Sequence, residues 1–266
     1  MDEPISGGDI GRFSYCALNW KLSLAGHRGA GGKQGMREHD ELSHQVDALE
    51  FYQSRARLTQ DTALLMALFA TSAASLGIEF LLLQVDSPLW WILVFLSVIW
   101  AAVSLYLVVF NLYYKSRAKD VVHASRIAKG EVAFADSPRH AAVYGSKVIP
   151  LRGRPDYVVE REGVHIPVEY KSGRTPPRPY DSHVLQLAAY CYLVGEAHGK
   201  RPPVGILHYA DREFEIPYTE ELEDRLLKTI LRIQLAQRTG DVHRSHENPR
   251  RCLGCSRRDV CPEKLA

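Results

Sequence analysis

Two long apolar runs interrupt a sequence in which polar and apolar residues are otherwise mixed. They cover residues 63–85 and 89–110, and the block from Ala63 to Phe110 holds two acidic and no basic residues. A transmembrane helix needs about 20 predominantly apolar residues, so each run is long enough to span a bilayer. Because only Asp86-Ser87-Pro88 lies between the runs, the pattern predicts a transmembrane helical hairpin.

The residues that flank the hairpin predict its orientation. Basic residues lie on both sides, at Arg55, Arg57, Lys115, Arg117 and Lys119, and basic flanks stay in the cytoplasm. Aromatic residues that favour the membrane interface lie near the ends of the second run, at Trp90, Trp91, Tyr113 and Tyr114. We therefore expect a multi-pass protein of the cytoplasmic (inner) membrane, with both termini and the globular part inside.

One residue supports a different interpretation of the hairpin. Glu79 lies within the first run, and a carboxyl group inside a bilayer is costly. It should be protonated, face the partner helix or lie near the outer interface. The alternative is a hairpin buried in the core of a soluble helical protein. In either case the expected organisation is an N-terminal part at 1–60, the hairpin at 61–114 and the main globular part at 115–266.

After the hairpin, the pattern predicts two β-strands and a helix. The strands cover residues 148–160 and 164–171, and Arg161-Glu162-Gly163 between them is typical of a hairpin turn. Alternation along a strand places Glu169 and Lys171 on one face, where Asp156 of the first strand can meet them. Two carboxylates can hold a divalent cation that activates water for phosphodiester hydrolysis, and a lysine can orient that water.

The predicted helix, at residues 182–195, places Gln186 and Tyr190 on one face, four residues apart. These polar groups could reach the sheet and position a phosphate or Lys171. Each feature also has an ordinary structural explanation: a charged pair on a strand often forms a solvated face, and a tyrosine often packs with its hydroxyl at the rim of the core.

The cysteines indicate a metal site. The chain has five cysteines and a net charge of +2, and the N-terminus lacks the pattern of a secretory signal, so a disulfide framework is not expected. Cys252, Cys255 and Cys261 lie close together in the sequence and could converge on one metal. A fourth ligand must come from elsewhere: Cys16 and Cys191 remain, and the apolar surroundings of Cys191 favour an isolated buried thiol.

The motifs Pro155-Asp156, Glu169-Tyr170-Lys171 and Gln186-Leu187-Ala188-Ala189-Tyr190 resemble those of the RecB-like branch of the PD-(D/E)XK nucleases. The resemblance implies an α/β fold with a mixed central sheet flanked by helices. It also implies Mg²⁺ or Mn²⁺ held by Asp156, Glu169 and the carbonyl of Tyr170, with Lys171 as the catalytic lysine and Gln186 and Tyr190 in the site. An upstream Gly-x-x-x-His motif matches Gly35 to His39, so His39 is the expected further metal ligand and His44 the alternative.

One N-terminal and three C-terminal cysteines around such a nuclease are similar to the arrangement in CRISPR-associated protein four exonucleases and AddB-type nuclease domains. This resemblance implies that Cys16, Cys252, Cys255 and Cys261 hold a [4Fe-4S] cluster, with zinc as the alternative. It implies a DNA exonuclease that acts on single strands or ends, mainly from the 5′ end. CRISPR spacer acquisition, with adaptation integrases as partners, or DNA repair would be the pathway.

Two features leave other functions open. The membrane hairpin departs from the family pattern, and the chain could instead be a membrane-anchored DNA-binding scaffold with a vestigial site, or a repair or restriction-type endonuclease. The arginine-rich segment at 238–258 could bind a phosphate backbone, or it could be a solvated loop.

Overall fold

The computed structural model describes residues 3–27, 32–83, 88–124, 131–135, 143–172, 175–209 and 211–265, and within these it leaves the side chains of residues 32–40, 42, 43, 123, 124 and 131–135 undescribed. The chain forms two compact units. One consists of Met1–Asp47 with Arg126–Ala266, and the other is Ala48–Ser125. The predicted boundaries at residues 60 and 114 stay a prediction.

The first unit contains eight strands in the described ranges, which form two sheets. The strands are β1 (Ile5–Ser6), β2 (Glu131–Ala135), β3 (Tyr144–Gly145), β4 (Leu151–Gly153), β5 (Tyr157–Arg161), β6 (Val164–Lys171), β7 (Val204–Tyr209) and β8 (Glu213–Pro217).

The main sheet has the order β2-β5-β6-β7-β8, and β6 lies at its centre. Strand β6 pairs antiparallel with β5 and parallel with β7, so the sheet is mixed, as the family resemblance implied. The smaller sheet has the order β1-β4-β3. In it, β1 pairs parallel with β4. Residues near the N-terminus therefore lie beside the segment that leads into β5.

The helices, in chain order, are α1 (Gly7–Tyr15), α2 (Ala17–Leu24), α3 (Gly32–Leu82), α4 (Leu89–Ala124), α5 (Asp181–His198), α6 (Glu220–Thr239) and α7 (Pro249–Leu253). A short 3₁₀ helix follows at Arg258–Val260. Helix α5 is the predicted helix of 182–195, extended at both ends. Together with the mixed sheet, these helices give the predicted α/β class.

The prediction of one strand over residues 148–160 was wrong. The structure divides this segment into β4 and β5, which belong to different sheets. The division falls at Arg154-Pro155-Asp156, which is outside any strand. Because proline has no N–H to donate to a neighbouring strand, Pro155 interrupts the pairing. Asp156 therefore lies at the entrance to β5 instead of inside a strand.

The turn between β5 and β6 is tight, as predicted. Glu162 and Gly163 both have positive φ, 53° and 69°, which is the backbone of the two-residue turn that matches the twist of a hairpin. This turn sets the register in which Tyr157 is opposite Val168. Asp156 is consequently brought next to the end of β6 that carries Glu169, Tyr170 and Lys171.

Helix α5 is the centre of the core in this unit. Its fully buried residues include Leu187, Ala189 and Val194, and the helix packs against α1, β6 and β7. Helix α1 lies across α5 with very little space between the backbones: a Cβ added at Gly11 would be 3.0 Å from Gln186 Oε1 and 3.3 Å from the carbonyl oxygen of Ser182. This close approach brings the N-terminal helix to the motif residues.

The second unit consists of α4 and the part of α3 that follows Asp47, which together form a helical hairpin. Small residues of α3 are buried, at Ala56, Ala63, Ala70, Ala73 and Gly77. Gly77 is close to α4, since a Cβ added there would be 3.4 Å from Val94 Cγ2. Asn111 Nδ2 donates to the Ala56 carbonyl at 2.5 Å and Ser104 Oγ to the Ala63 carbonyl at 2.9 Å, so polar contacts join the two helices.

The outward faces of both helices are apolar and exposed. Leu68, Leu82, Phe95 and Leu105 are each more than 60% exposed. The segments His44–Leu82 and Leu89–Val122 are long and apolar enough to cross a membrane, by the criteria of length and composition. Glu79 is on the exposed surface of α3, one turn before the helix ends, and part of the predicted turn at 86–88 lies outside the described residues.

Candidate active site

The end of β6 brings the predicted carboxylates to one place. Glu169 is buried, with only 5% exposure, and it lies on the central strand of the sheet. Asp156 comes directly before β5, and its Oδ2 accepts a hydrogen bond from the backbone N–H of Tyr170 at 2.6 Å. The side chain of Asp156 is thus held against the neighbouring strand, beside the residue whose carbonyl was predicted as a metal ligand.

Lys171 is joined to Glu169 and Gln186 by a triangle of hydrogen bonds. Its Nζ donates to Glu169 Oε1 at 2.8 Å and to Gln186 Oε1 at 2.7 Å. The third side is formed by Gln186 Nε2, which donates to Glu169 Oε1 at 2.7 Å. The Lys171 and Glu169 side chains are 17% and 7% exposed, so this ion pair is largely shielded from solvent, where such interactions are stronger than on a surface.

Tyr190 lies behind the triangle and supports it. Its hydroxyl oxygen accepts from Gln186 Nε2 at 3.0 Å. Burial raises the pKa of Tyr190 well above its usual value, and the negative charges of Glu169 and Asp156 raise it further. The phenol therefore stays protonated. Since both carboxylates act on this one hydroxyl, Asp156 and Glu169 face the same small region.

Two glycines make room for the Tyr190 ring. A Cβ added at Gly7 would be 2.5 Å from Tyr190 Cε1, and one added at Gly153 would be 2.7 Å from the same atom. Real Cβ atoms do not approach so closely, so only glycine fits at either position. The ring is held between α1 and β4, and this position directs its hydroxyl toward Gln186.

The comparison with known protein families agrees with this geometry. A profile of the PD-(D/E)XK nuclease superfamily matches residues 10–262, nearly the whole chain. The chain belongs to the PD-(D/E)XK nuclease superfamily.

Among curated proteins, the chain is similar to the CRISPR-associated exonuclease Cas4 of Francisella tularensis subsp. novicida (strain U112). They are 32% identical over 120 residues, which is 45% of this chain and 60% of the relative. It is also similar to fusions of exonuclease Cas4 with endonuclease Cas1 from Leptospira interrogans (serogroup Icterohaemorrhagiae) and Myxococcus xanthus (strain DK1622). These are 30% and 29% identical over 129 and 127 residues, or 24% and 22% of the fusions' lengths. The match therefore spans less than two thirds of each relative.

PD-(D/E)XK nucleases use divalent metals such as Mg²⁺ or Mn²⁺, and the donor set at the end of β6 fits them. Carboxylate oxygens are the ligands that these hard cations prefer, and Asp156 and Glu169 supply them. Within the described ranges, no group of three or more His, Cys, Asp or Glu side chains is arranged to hold a metal ion. The side chain of His39 lies outside the described residues, and that of His44 is exposed.

His183 is a site residue that the sequence analysis missed in this PD-(D/E)XK superfamily member. It lies on α5 one turn before Gln186, and its Nδ1 is 2.7 Å from the hydroxyl of Tyr209. Burial lowers the pKa of His183 to about 4, and the positive charge of Lys171 contributes to this shift. A neutral imidazole therefore lies beside the Lys171 ammonium. The spacing of residues 183, 186 and 190 on one helix face was the signal that could have revealed it.

Lys171 lines a groove of about 380 Å³ that the sequence did not predict. Its described lining comes from α1, α2, β6, α5 and the C-terminal segment, and consists of Gly8, Gly11, Arg12, Tyr15, Asn19, Lys171, Ser182, His183, Gln186, Gly254, Cys255, Ser256 and Arg257. Burial lowers the pKa of Arg257, and the charge of Arg12 lowers it further. The two guanidinium groups are therefore close enough to repel one another.

The predicted cluster cysteines lie together at a second site. Cys16, Cys252, Cys255 and Cys261 line one cavity, although their side chains do not have the geometry of a formed metal site. Burial raises the pKa of Cys255, and the charges of the other three cysteines raise it further. Cys191 is buried in α5, where burial raises its pKa, as expected for an isolated core thiol. Four thiols that line one cavity are a donor set of the kind that a soft metal centre uses.

The arginine-rich segment around these cysteines makes several contacts within the protein. Arg251 Nη1 donates to the Tyr15 carbonyl at 3.3 Å, and Tyr15 in turn donates to the Arg251 carbonyl at 2.5 Å. Arg244 Nη1 donates to the His246 carbonyl at 2.6 Å. Part of the positive charge in 238–258 therefore attaches the C-terminal segment to the N-terminal helices.

Proposed function

We propose that this chain is a divalent-metal-dependent nuclease that cleaves DNA. One observation carries the proposal: the Glu169, Lys171 and Gln186 side chains form a closed hydrogen-bonded triangle, beside Asp156, in a chain of a nuclease superfamily. A solvated strand face would not bury Glu169 to 5% exposure or connect it to a helix. The arrangement supports a working site over a vestigial one.

The side chains have distinct roles in this proposal. Asp156 and Glu169 would hold the metal ion, with His39 and the Tyr170 carbonyl as the further predicted ligands. When bound, such an ion polarises a phosphoryl oxygen and lowers the pKa of its bound water. Lys171 Nζ would donate a hydrogen bond that orients the attacking water or the phosphate. Gln186 fixes the direction of that ammonium, and Tyr190 fixes Gln186.

The similar proteins support a more specific activity, including the type of DNA cleavage and the pathway. Because the matched proteins are named exonucleases, we propose an exonuclease that acts on single-stranded DNA or DNA ends, mainly from the 5′ end. Two relatives are fusions with endonuclease Cas1, which supports a role in CRISPR spacer acquisition with an integrase of that kind as partner. DNA repair is the alternative pathway, and a repair or restriction-type endonuclease is the alternative activity.

We also propose that Cys16, Cys252, Cys255 and Cys261 hold a [4Fe-4S] cluster. Their convergence on one cavity supports a shared metal centre, and thiolates are the ligands of both iron–sulfur clusters and structural zinc. Such a centre would join the two ends of the chain. Zinc is the alternative that metal analysis would distinguish.

Membrane attachment is a further part of the proposal. Helices α3 and α4 bury small residues against one another and expose leucine and phenylalanine side chains. A contiguous apolar surface of this kind is typical of a membrane or protein interface and is unusual on a free surface. We propose that the hairpin crosses the cytoplasmic membrane and that both termini remain in the cytoplasm.

The decisive experiment is a cleavage assay with the purified full chain in detergent. The substrates are single-stranded oligonucleotides labelled at either the 5′ or the 3′ end, and covalently closed circular DNA, each with Mg²⁺, Mn²⁺ or EDTA. We expect metal-dependent release of nucleotides from linear DNA and no cleavage of closed circles. Lys171→Ala should reduce the rate by about 10²- to 10⁴-fold, the usual contribution of a positioned proton-transfer or orienting group.

Lys200→Ala is the matched control, because Lys200 is exposed and, among the described residues, donates one 3.3 Å hydrogen bond, to the Gly163 carbonyl. Full activity of Lys171→Ala would refute the proposed site. Cleavage of closed circles would replace the exonuclease by an endonuclease. Binding of DNA without any metal-dependent cleavage would favour the scaffold alternative.

A further inference from the structure

The charged residues that line the groove beside Lys171 are all cations. Its described lining contains the three cations Arg12, Lys171 and Arg257, and none of those lining residues is a carboxylate. Two of the cations come from opposite ends of the chain, α1 and the C-terminal segment. Asp9 pairs with Arg12 and Glu169 pairs with Lys171, whereas the acceptors given for Arg257 are neutral. An anion bound in the groove would therefore give Arg257 a charged partner and lie near the other two cations.

The two arginines are held in place by the protein. Arg12 Nη2 donates to Asp9 Oδ1 at 2.8 Å, while its Nε is buried and has no hydrogen-bond partner among the described residues. Arg257 Nη1 donates to Asn19 Oδ1 at 2.8 Å and its Nε to the His27 carbonyl at 2.9 Å. Two neutral acceptors therefore orient the Arg257 guanidinium, and neither of them neutralises its charge.

The shape of the groove suits a chain-like ligand. Gly8, Gly11 and Gly254 line it together with the arginines, so parts of its wall are bare backbone. A Cβ added at Gly8 would be 3.4 Å from both terminal nitrogens of Arg12, which shows how closely the guanidinium lies over this glycine. The groove continues to Lys171 and Gln186, where the cleaved phosphodiester would lie.

We propose that Arg12 and Arg257 form a binding site for the phosphodiester backbone of single-stranded DNA, next to the phosphate that is cleaved. The inference rests on the proposed nuclease function, and it adds the path of the substrate strand. Paired guanidinium groups match the oxygens of a phosphate, and a strand that binds here continues directly into the catalytic site. An acidic peptide could satisfy the charges but would have no reason to end at Lys171.

The test measures DNA binding in the absence of cleavage. The purified full chain in detergent is titrated into a fluorescent single-stranded oligonucleotide of about 12 nucleotides in EDTA, and anisotropy is recorded over a range of KCl concentrations. Arg12→Gln and Arg257→Gln should each weaken binding roughly tenfold at low salt. Log K falls as log salt rises, and each variant should make this negative slope shallower by about 0.7, the value for one phosphate contact on a single strand.

Arg161→Gln is the matched control. Arg161 is the last residue of β5, opposite Val164, which lies about 23 Å along β6 from Lys171, and it pairs with Glu215. This variant should bind like the wild type. Arg12→Lys and Arg257→Lys keep the charge and should retain the wild-type salt slope, whereas a purely structural role would be lost equally in the Lys and Gln variants.

The outcomes separate this inference from the nuclease proposal. Wild-type affinity and salt slope in both Gln variants would overturn the inference, as would an equal loss in Arg161→Gln or no binding of DNA by the wild type. Cleavage by the wild type, measured separately with Mg²⁺ or Mn²⁺, decides the nuclease proposal. If the wild type binds without cleaving and the Gln variants lose affinity, the binding site stands and the proposed activity fails.

Discussion

Gln186 Oε1 accepts a hydrogen bond from Lys171 Nζ at 2.7 Å. This contact joins α5 to the end of the central strand, and it orients an ammonium group whose other acceptor is Glu169. A lysine side chain has four rotatable bonds, so a fixed direction for its ammonium requires acceptors on more than one side. The helix supplies one acceptor and the strand supplies the other.

We expect Gln186→Leu to lower kcat by about 10- to 100-fold, because a misdirected ammonium loses part of the contribution of a positioned group. The measurement is steady-state cleavage of a single-stranded oligonucleotide with Mn²⁺, with kcat and KM determined separately across pH. A role in orienting Lys171 predicts a changed pH profile. An unchanged profile and kcat would leave Gln186 with only a packing role.

Gly153→Ala should destabilise the fold and the site together. Its new Cβ would be 2.7 Å from Tyr190 Cε1, and overpacking of a core typically costs about 1–3 kcal/mol. The free energy of unfolding is measured by urea denaturation, and the matched control is Gly145→Ala in β3, where a Cβ would meet nothing within 4 Å. Equal stability of the two variants would contradict the tight packing of Tyr190 against β4.

The protein should lose stability as the pH falls from about 6.5 to about 4 because of His183. Its folded-state pKa is about 4, so the unfolded chain binds a proton in this window that the folded protein does not. Stability therefore rises with pH across the window, by about 3 kcal/mol for a shift of this size. Because carboxylates also titrate, the test compares urea denaturation of the wild type and His183→Asn. The difference between the two should change with pH, and parallel curves would contradict the assignment.

Loss of a cluster cysteine should remove the metal centre and weaken the fold. Anaerobically purified wild type should be brown and contain iron and acid-labile sulfide, and Cys255→Ala should lose both and unfold at lower temperature. Cys191→Ala is the control, because Cys191 is buried in α5 away from the cavity-lining set, and it should stay brown. A colourless wild type that contains zinc would replace the cluster by a zinc site.

The chain should fractionate with the cytoplasmic membrane, with both termini on the inside. Cys16 precedes the hairpin and Cys252 follows it, and both line one cavity. Two residues can share a cavity only if they lie on the same side of a bilayer. Reporter fusions at each end measure the sidedness. Replacement of residues 63–110 by a polar linker should yield a soluble enzyme that retains metal-dependent cleavage. Opposite sidedness of the termini would contradict the hairpin.

Patterns within single helices and strands predicted much of the site. Contacts between segments that are distant in the sequence could not be predicted in this way. Alternation along β6 placed Glu169 and Lys171 on one face, and the four-residue spacing on α5 placed Gln186 and Tyr190 on one face, because each rule acts within one element. The family resemblance was needed to bring the two elements to one site. The packing of α1 onto α5 could not be predicted, since nothing in the local pattern relates Gly7 to Tyr190. The break at Pro155 was missed although proline is a local signal, because the apolar residues on both sides suggested one strand.

The packing of α1 on α5 also has a consequence for the order of folding. About 170 residues separate Gly11 from Gln186 in the chain, and both hairpin helices lie between them. During synthesis, the ribosome therefore completes α1 and the hairpin long before α5 exists. The apolar face of α1 therefore remains without its partner while the hairpin and the following strands are made. We expect α1 to need protection from aggregation in this interval, and the active site to assemble only after most of the C-terminal half has been made.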